Sequence, residues 1–184
     1  MNKLVFAALM AFACTTSRAQ MVAVSTDVLM DALQTPSVGA ELVVCERSSI
    51  SLNLFGNHNP WGKTMKIVGI QPEWRYYFSG RPMHRHFVGV GALGTQYDIT
   101  WKGKVYDGYA VGLGLTFGYV IPLSSRVNID LHAGVGLVAY RQKEYFESDN
   151  YDQDYSYGGT AQANSSGYCL LPTRIGVSVV YILK

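Results

Sequence analysis

From Tyr109 to Tyr119 the chain alternates without a break between bulky apolar side chains and almost none at all. The odd positions are Tyr109, Val111, Leu113, Leu115, Phe117 and Tyr119; the even ones are Ala110, Gly112, Gly114, Thr116 and Gly118. A period of two belongs to an extended strand, whose successive side chains leave on opposite faces. A soluble sheet with one wet face would place charge on that face, and this segment has none on either side. A bare glycine face suits a narrow barrel interior, and the bulky face suits lipid.

The same alternation recurs along the chain. Val127, Ile129, Leu131, Ala133, Val135 and Leu137 oppose Asn128, Asp130, His132, Gly134 and Gly136. Near the end, Ile175, Val177, Val179, Tyr181 and Leu183 oppose Arg174, Gly176 and Ser178. Earlier, Val38, Ala40, Leu42 and Val44 oppose Gly39 and Glu41; Ile50, Leu52 and Leu54 oppose Ser49, Ser51 and Asn53. Ile70, Pro72, Trp74 and Tyr76 oppose Gln71, Glu73 and Arg75, with a bulge or kink expected at Pro72 because it cannot donate to a ladder. These patterns predict strands at 22–31, 37–45, 49–57, 66–78, 86–98, 105–120, 126–141 and 168–183. An even strand count puts both termini on one side. Connections at 46–48, 79–85 and 121–125 then become periplasmic turns. Those at 32–36, 58–65, 99–104 and 142–167 become external loops, the longest among them. The expected fold is all-β: an eight-stranded antiparallel up-and-down transmembrane β-barrel. Nineteen glycines and thirteen tyrosines fit such a barrel with aromatic girdles.

The N-terminus points to export. Met1-Asn2-Lys3 precedes an apolar run from Leu4 to Ala13, and small residues lead to Ser17-Arg18-Ala19. That is the layout of a secretory signal peptide, and the run is too short for a membrane helix, which needs about 20 residues. The predicted organisation is a signal peptide over 1–19 and a single barrel domain over 20–184. Ala11-Phe12-Ala13-Cys14 is also similar to a lipoprotein acylation site, with Ala where Leu is usual, so lipidation of Cys14 stays open. Cys45 and Cys169 fall toward opposite ends of the predicted barrel and are expected to remain unpaired. A net charge of +2 and export both argue against nucleic acid as a partner.

Asn57-His58-Asn59-Pro60-Trp61, Gln71-Pro72-Glu73-Trp74-Arg75-Tyr76, Gly94-Thr95-Gln96-Tyr97 and Pro172-Thr173-Arg174-Ile175-Gly176-Val177 with Tyr181 occur in this order. In that order and spacing the chain resembles a family of Bacteroidetes-type outer-membrane barrels of unknown function, often encoded near fimbrial genes. The resemblance implies a small OmpX- or OmpA-like barrel and a link to surface fimbriae. It brings no catalytic residue with it. The C-terminal strand also resembles a barrel-assembly signal, but ends in Leu183-Lys184 rather than an aromatic.

Several motifs invite chemistry. Gly89-Val90-Gly91-Ala92-Leu93-Gly94 and Gly134-Val135-Gly136-Leu137-Val138-Ala139 match dinucleotide fingerprints. The fingerprint functions where a strand turns into a helix, and no amphipathic helix follows either match, so no nucleotide is expected. His84-Arg85-His86 places two imidazoles two residues apart, yet zinc needs at least one more ligand. A solvated basic turn is the simpler reading, and no metal or cofactor is expected.

The inward-facing ionisable residues Glu41, Glu73, Arg75, Asp130, His132 and Arg174, with Gln71, form the clearest constellation. In a narrow lumen such charges must pair, so a structural plug fixing strand register is expected, with a proton path or gated pocket as the alternative. Eight strands leave an interior only wide enough for side chains, which argues against an open pore. The predicted 142–167 loop is a candidate recognition surface, carrying Glu144, Glu147, Asp149, Asp152 and Asp154 beside Tyr145, Tyr151, Tyr155 and Tyr157. Tyr-rich adaptable loops make good contact surfaces, and clustered acids attract basic partners.

The expected function is that of a non-enzymatic outer-membrane protein surrounded by outer-membrane lipid. Its external loops would serve contact with cell-surface or fimbrial proteins. A soluble exported lipocalin-like barrel binding a small apolar ligand is the alternative; it would carry apolar residues inward and charge outward. An outer-membrane lipid-modifying enzyme is a third reading. Lipid A deacylases place a Ser two residues from a His, but His58 is followed by Asn59-Pro60 and His132 by Ala133-Gly134.

Overall fold

The computed structural model describes residues 21–148, 156–157, 160–161 and 163–183. The predicted signal peptide and Cys14 lie outside them. Ten strands form: β1 (Val22–Asp27), β2 (Ser37–Cys45), β3 (Ser48–His58), β4 (Met65–Tyr77), β5 (Arg85–Trp101), β6 (Lys104–Pro122), β7 (Val127–Phe146), β8 (Ser156–Tyr157), β9 (Thr160–Ala161) and β10 (Ser165–Ile182). All but β8 and β9, which pair with each other, close into one antiparallel ring in the order β1-β10-β7-β6-β5-β4-β3-β2. This is the predicted all-β closed eight-stranded barrel. Both ends of the ring's chain lie at what we call the lower end, with the turns at 46–47, 78–84 and 123–126.

The walls are uneven. β6 and β7 align through nineteen residue pairs, from Lys104↔Phe146 to Pro122↔Asn128. At the closing seam β1 meets β10 through five pairs, Ala23↔Ile182 to Asp27↔Ser178, and β2 through four. The predicted strand 22–31 stops at Asp27. There the Asp27 carboxylate accepts hydrogen bonds from the backbone N–H of Leu29 and Met30 at 3.0 and 3.2 Å, and the chain turns into a short helix, α1 (Val28–Ala32). An N-cap carboxylate satisfying otherwise orphaned amides overrides the alternation that Val28 and Met30 continue.

β2 has its predicted bounds and β4 is shifted by one residue, while β3, β5, β6, β7 and β10 run longer than predicted. The hairpin between β5 and β6 consists of Lys102 and Gly103 alone, both at positive φ (51° and 76°). That is the two-residue turn whose twist lets strands continue to its edge, so residues 99–101 and 104 belong to the sheet rather than to a loop. β7 likewise continues to Phe146 and β10 begins at Ser165, which narrows the predicted 142–167 loop to 147–164.

Pro72 makes no bulge. Its pairing with Leu52 on β3 is uninterrupted, and on the β5 side alignment lapses at Gln71 and Pro72, then resumes in unchanged register at Glu73↔Gly91. The register breaks instead at Thr173, between Pro172↔Val135 and Arg174↔Gly134, and at Val44, between Val43↔Ser49 and Cys45↔Ser48. The extra residue at Thr173 reverses the parity of β10: Tyr168 and Leu170 face outward above it, Ile175, Val177 and Val179 below it.

Candidate functional site: the polar cluster in the barrel lumen

Along the walls most bulky apolar residues are exposed, and at mid-depth the buried residues are small or polar. Tyr109, Val111, Leu113, Leu115, Phe117 and Tyr119 all lie on the outside of β6. The inside collects Asp27, Glu41, Gln71, Glu73, Arg75, Asp130 and His132, all at most 8% exposed. Room for these long side chains comes from the glycines. A Cβ on Gly89 would strike the Glu73 carboxyl, 2.6 Å from Oε1, and one on Gly114 would stand 2.6 Å from Thr173 Oγ1 and 2.9 Å from the Val135 carbonyl oxygen.

All seven residues of the predicted constellation are brought together. Arg75 is the hub: its Nε donates to Glu73 Oε2 at 2.6 Å, and its Nη1 reaches Glu41 Oε2 at 3.0 Å and Asp130 Oδ2 at 2.8 Å. Its guanidinium carbon lies 4.5 Å from the centroid of Phe87. Arg174 Nη1 donates to Glu73 Oε2 at 2.7 Å. Gln71 Nε2 donates to the backbone carbonyl of Thr173 at 2.8 Å. His132 sits between two acids, Nε2 3.2 Å from Asp27 Oδ2 and Nδ1 3.6 Å from Asp130 Oδ1.

Two members, Asp27 and Tyr77, escaped sequence reading, whereas Ser49 and Ser51 lie on the face that the alternation turned inward. Asp27 faces His132, but the alternation of β1 is too weak to assign its face. Tyr77 donates its hydroxyl to Glu41 Oε1 at 2.7 Å; extending the parity of Glu73 and Arg75 by one step would have placed it inside. Ser49 donates to Glu41 Oε1 at 2.5 Å and Ser51 to Glu73 Oε2 at 3.4 Å. Four carboxylates thus face two guanidiniums and one imidazole in a space shielded from solvent, where charges persist only if mutually satisfied.

The lumen is stopped below this cluster. Tyr77, Phe87 and Val120 form one apolar layer, and Met83, Ala23 and Val180 form another. Met83 belongs to the 78–84 turn, which folds beneath the barrel and is held there by Asn128 Nδ2 donating to the Met83 carbonyl at 3.0 Å. The adjoining His86 is exposed, its ring edge-on to Tyr119 at 4.5 Å between centroids. The two dinucleotide-like runs, 89–94 and 134–139, lie inside β5 and β7 and lead into no helix. Cys45, the last residue of β2, and Cys169, the fifth of β10, are both free.

Of the candidate recognition residues, Glu144 and Tyr145 are not in a loop but in β7, opposite Tyr106 and Val105. Glu147 follows the strand and its N–H donates to the Gly103 carbonyl at 2.9 Å. Tyr157 is in β8, and Asp149, Tyr151, Asp152, Asp154 and Tyr155 lie outside the described residues. The base of this connection is clamped: the Asn164 side chain accepts from Glu144 N–H and donates to the Glu144 carbonyl, both at 2.8 Å.

A family model described as a protein of unknown function (DUF3575) matches residues 4–183. No curated protein and no solved structure matches the chain.

Proposed function

The chain belongs to the DUF3575 family, whose function is not established, and on that premise we propose that it is a non-enzymatic outer-membrane barrel. In this reading its upper-end connections face away from the cell and meet cell-surface or fimbrial proteins. The observation that carries the proposal is the inversion of the barrel: ionic groups inside, bulky apolar side chains outside. Leu113, 69% exposed at the middle of the β6 face, is typical. The outward span from Tyr109 to Tyr119 is eleven residues, against the roughly 9–11 that a tilted strand needs to cross hydrocarbon. Its upper edge is level with Gln96 and Arg141 on the neighbouring strands, and its lower edge with His86. Polar residues thus flank the band above, while below it Leu131 stands level with Tyr119 and Ile121 carries the outward β6 face on toward the turn at 123–126.

A lipocalin-like alternative needs the opposite distribution, with charge outward to water. A lipid-modifying enzyme needs a hydroxyl or thiol within reach of a base. The buried hydroxyls of Ser49 and Ser51 are directed at Glu41 and Glu73, and His132 at Asp27 and Asp130, which favours a structural role for the cluster.

Membrane fractionation tests the proposal. The protein should resist a carbonate wash and leave the membrane only in detergent; release by carbonate alone would overturn it. Contact through the upper end is tested separately by replacing 148–163 with a short Gly-Ser turn. Asn164 is kept because it anchors β7. Heat-modifiable migration should persist while capture of surface proteins from intact cells is lost; capture that survives would refute the loop's role.

A further inference from the structure

Above the polar cluster the lumen changes character. Two adjoining cavities of about 450 and 480 Å³ share Leu93, Thr95, Tyr97, Ile99 and Pro172 in their walls. Together they form a well within the size range of small-molecule sites. Its walls are mainly apolar: Phe55, Ile67 and Met30 on one side, Trp101, Val138 and Leu171 on the other. The inward residues of β5 from Leu93 to Trp101 give it a depth of roughly 20 Å along the barrel axis, allowing for strand tilt. The lower end is stopped by the cluster and by the Tyr77 and Met83 layers, so among the described residues the well opens at the upper end.

Two charged side chains line it, Asp27 and Arg174. The Asp27 oxygens are engaged by the Leu29 and Met30 amides and face His132. Among the described residues Arg174 makes one ion pair, through Nη1 to Glu73, and its buried Nε has no hydrogen-bond partner. A buried unpaired donor costs free energy that an acceptor would recover, and a guanidinium edge suits a carboxylate in bidentate geometry.

We propose that this well binds a long-chain monocarboxylate, its acyl chain along the apolar walls and its carboxylate against Arg174. The head of the ligand sits at the floor and its tail points to the mouth. Binding of this kind does not depend on whether the outer wall faces lipid or water, so it stands apart from the membrane proposal.

The test uses the full barrel purified in a maltoside detergent, with palmitate, hexadecanol, hexadecyltrimethylammonium and butyrate as probes, read by native mass spectrometry. One palmitate per barrel is expected, bound more tightly than hexadecanol, with neither the cationic amphiphile nor butyrate retained. Arg174→Gln should weaken palmitate about tenfold and leave hexadecanol unchanged. Thr95→Trp, which leaves Arg174 in place but fills the shared wall, should abolish both. Heat-modifiable migration checks that each variant folds, and if Arg174→Gln does not, the acid-against-alcohol comparison and Thr95→Trp decide. Equal retention of palmitate and hexadecanol, retention of palmitate by Thr95→Trp, or no retention of palmitate at all would overturn the proposal.

Discussion

Glu73 on β4 and Arg174 on β10 stand on strands diametrically opposite in the ring, and their side chains meet at 2.7 Å, Oε2 to Nη1. The bond therefore spans the lumen. One level away, Gln71 and the Thr173 carbonyl bridge the same two walls. A barrel stitched across its own diameter has no channel at that depth, and the charges act as internal struts.

Arg75 concentrates this effect, since Glu41, Glu73 and Asp130 all bond to it. Arg75→Met should destabilise the barrel by about 3–5 kcal/mol, because three buried carboxylates lose their shared counter-charge. Urea titration of the protein refolded into lipid vesicles measures it. Arg75→Lys should rescue little, since a single ammonium cannot reproduce the fork that serves acids on three strands. Stability within about 1 kcal/mol of the parent in Arg75→Met would contradict this account.

Glycine at position 136 lets the backbones of β6 and β7 approach closely. A Cβ there would press on the Leu113 carbonyl oxygen and come within 2.7 Å of the Gly114 Cα, which is backbone and cannot swing away. Gly136→Ala should cost about 1–3 kcal/mol. Gly94→Ala meets only Ile70 Cγ2, at 3.3 Å, and should change stability by less than about 1 kcal/mol in the same urea series.

Leu113 separates a lipid-covered wall from a wetted one. Leu113→Arg at the middle of an apolar band should cost about 2–4 kcal/mol in a bilayer. At a water-exposed position the same change would fall within about 0.5 kcal/mol. Unfolding in vesicles gives the number, and a neutral result would place that face in water.

Lys104 and Glu144 form an ion pair at the upper rim, beyond the apolar band. The hydrogen bond to Lys104 holds the Glu144 carboxyl below its ordinary value of 4.5, and the same bond lifts the Lys104 ammonium above 10.5. The carboxyl's contribution is complete above 4.5 and is lost as pH falls through its depressed value. The ammonium's is complete below 10.5 and is lost as pH rises through its elevated one. The pair is partly exposed, so its effect is small and should fade in high salt. A carboxyl NMR titration should show Glu144 returning toward 4.5 in Lys104→Met.

Strands with one bare face were readable from sequence because glycine against Leu, Val and Phe leaves no ambiguity of side. Seven lumen residues from Glu41 to Arg174 followed from that parity alone. The failures have local causes. Val28 and Met30 continue an alternation that the Asp27 carboxylate terminates by capping two amides. Lys102 and Gly103 turn the chain in two residues, which hydropathy cannot distinguish from a longer loop. The Thr173 bulge did leave a trace: Tyr168 and Leu170 are bulky at even positions, Ile175 and Val177 at odd ones, and a change of parity inside one strand requires an extra residue between them. The upper well was not legible, because its walls come from side chains on α1 and on β1, β3, β4, β5, β6, β7 and β10 whose convergence depends on closure.

The five-pair seam between β1 and β10 has a consequence for how the molecule is made. Of the ring's strands, Val22–Asp27 leaves the ribosome before the other seven, while the residues that grip it from the other side, Ala23's partner Ile182 among them, belong to the strand made after them all. The hoop is therefore still an open ribbon until β10 has been made, and its two most widely separated staves must find each other with few bonds to hold them. Whatever catches the unfinished edge during that interval, whether an assembly factor or another copy, sets the odds that the cask is sealed.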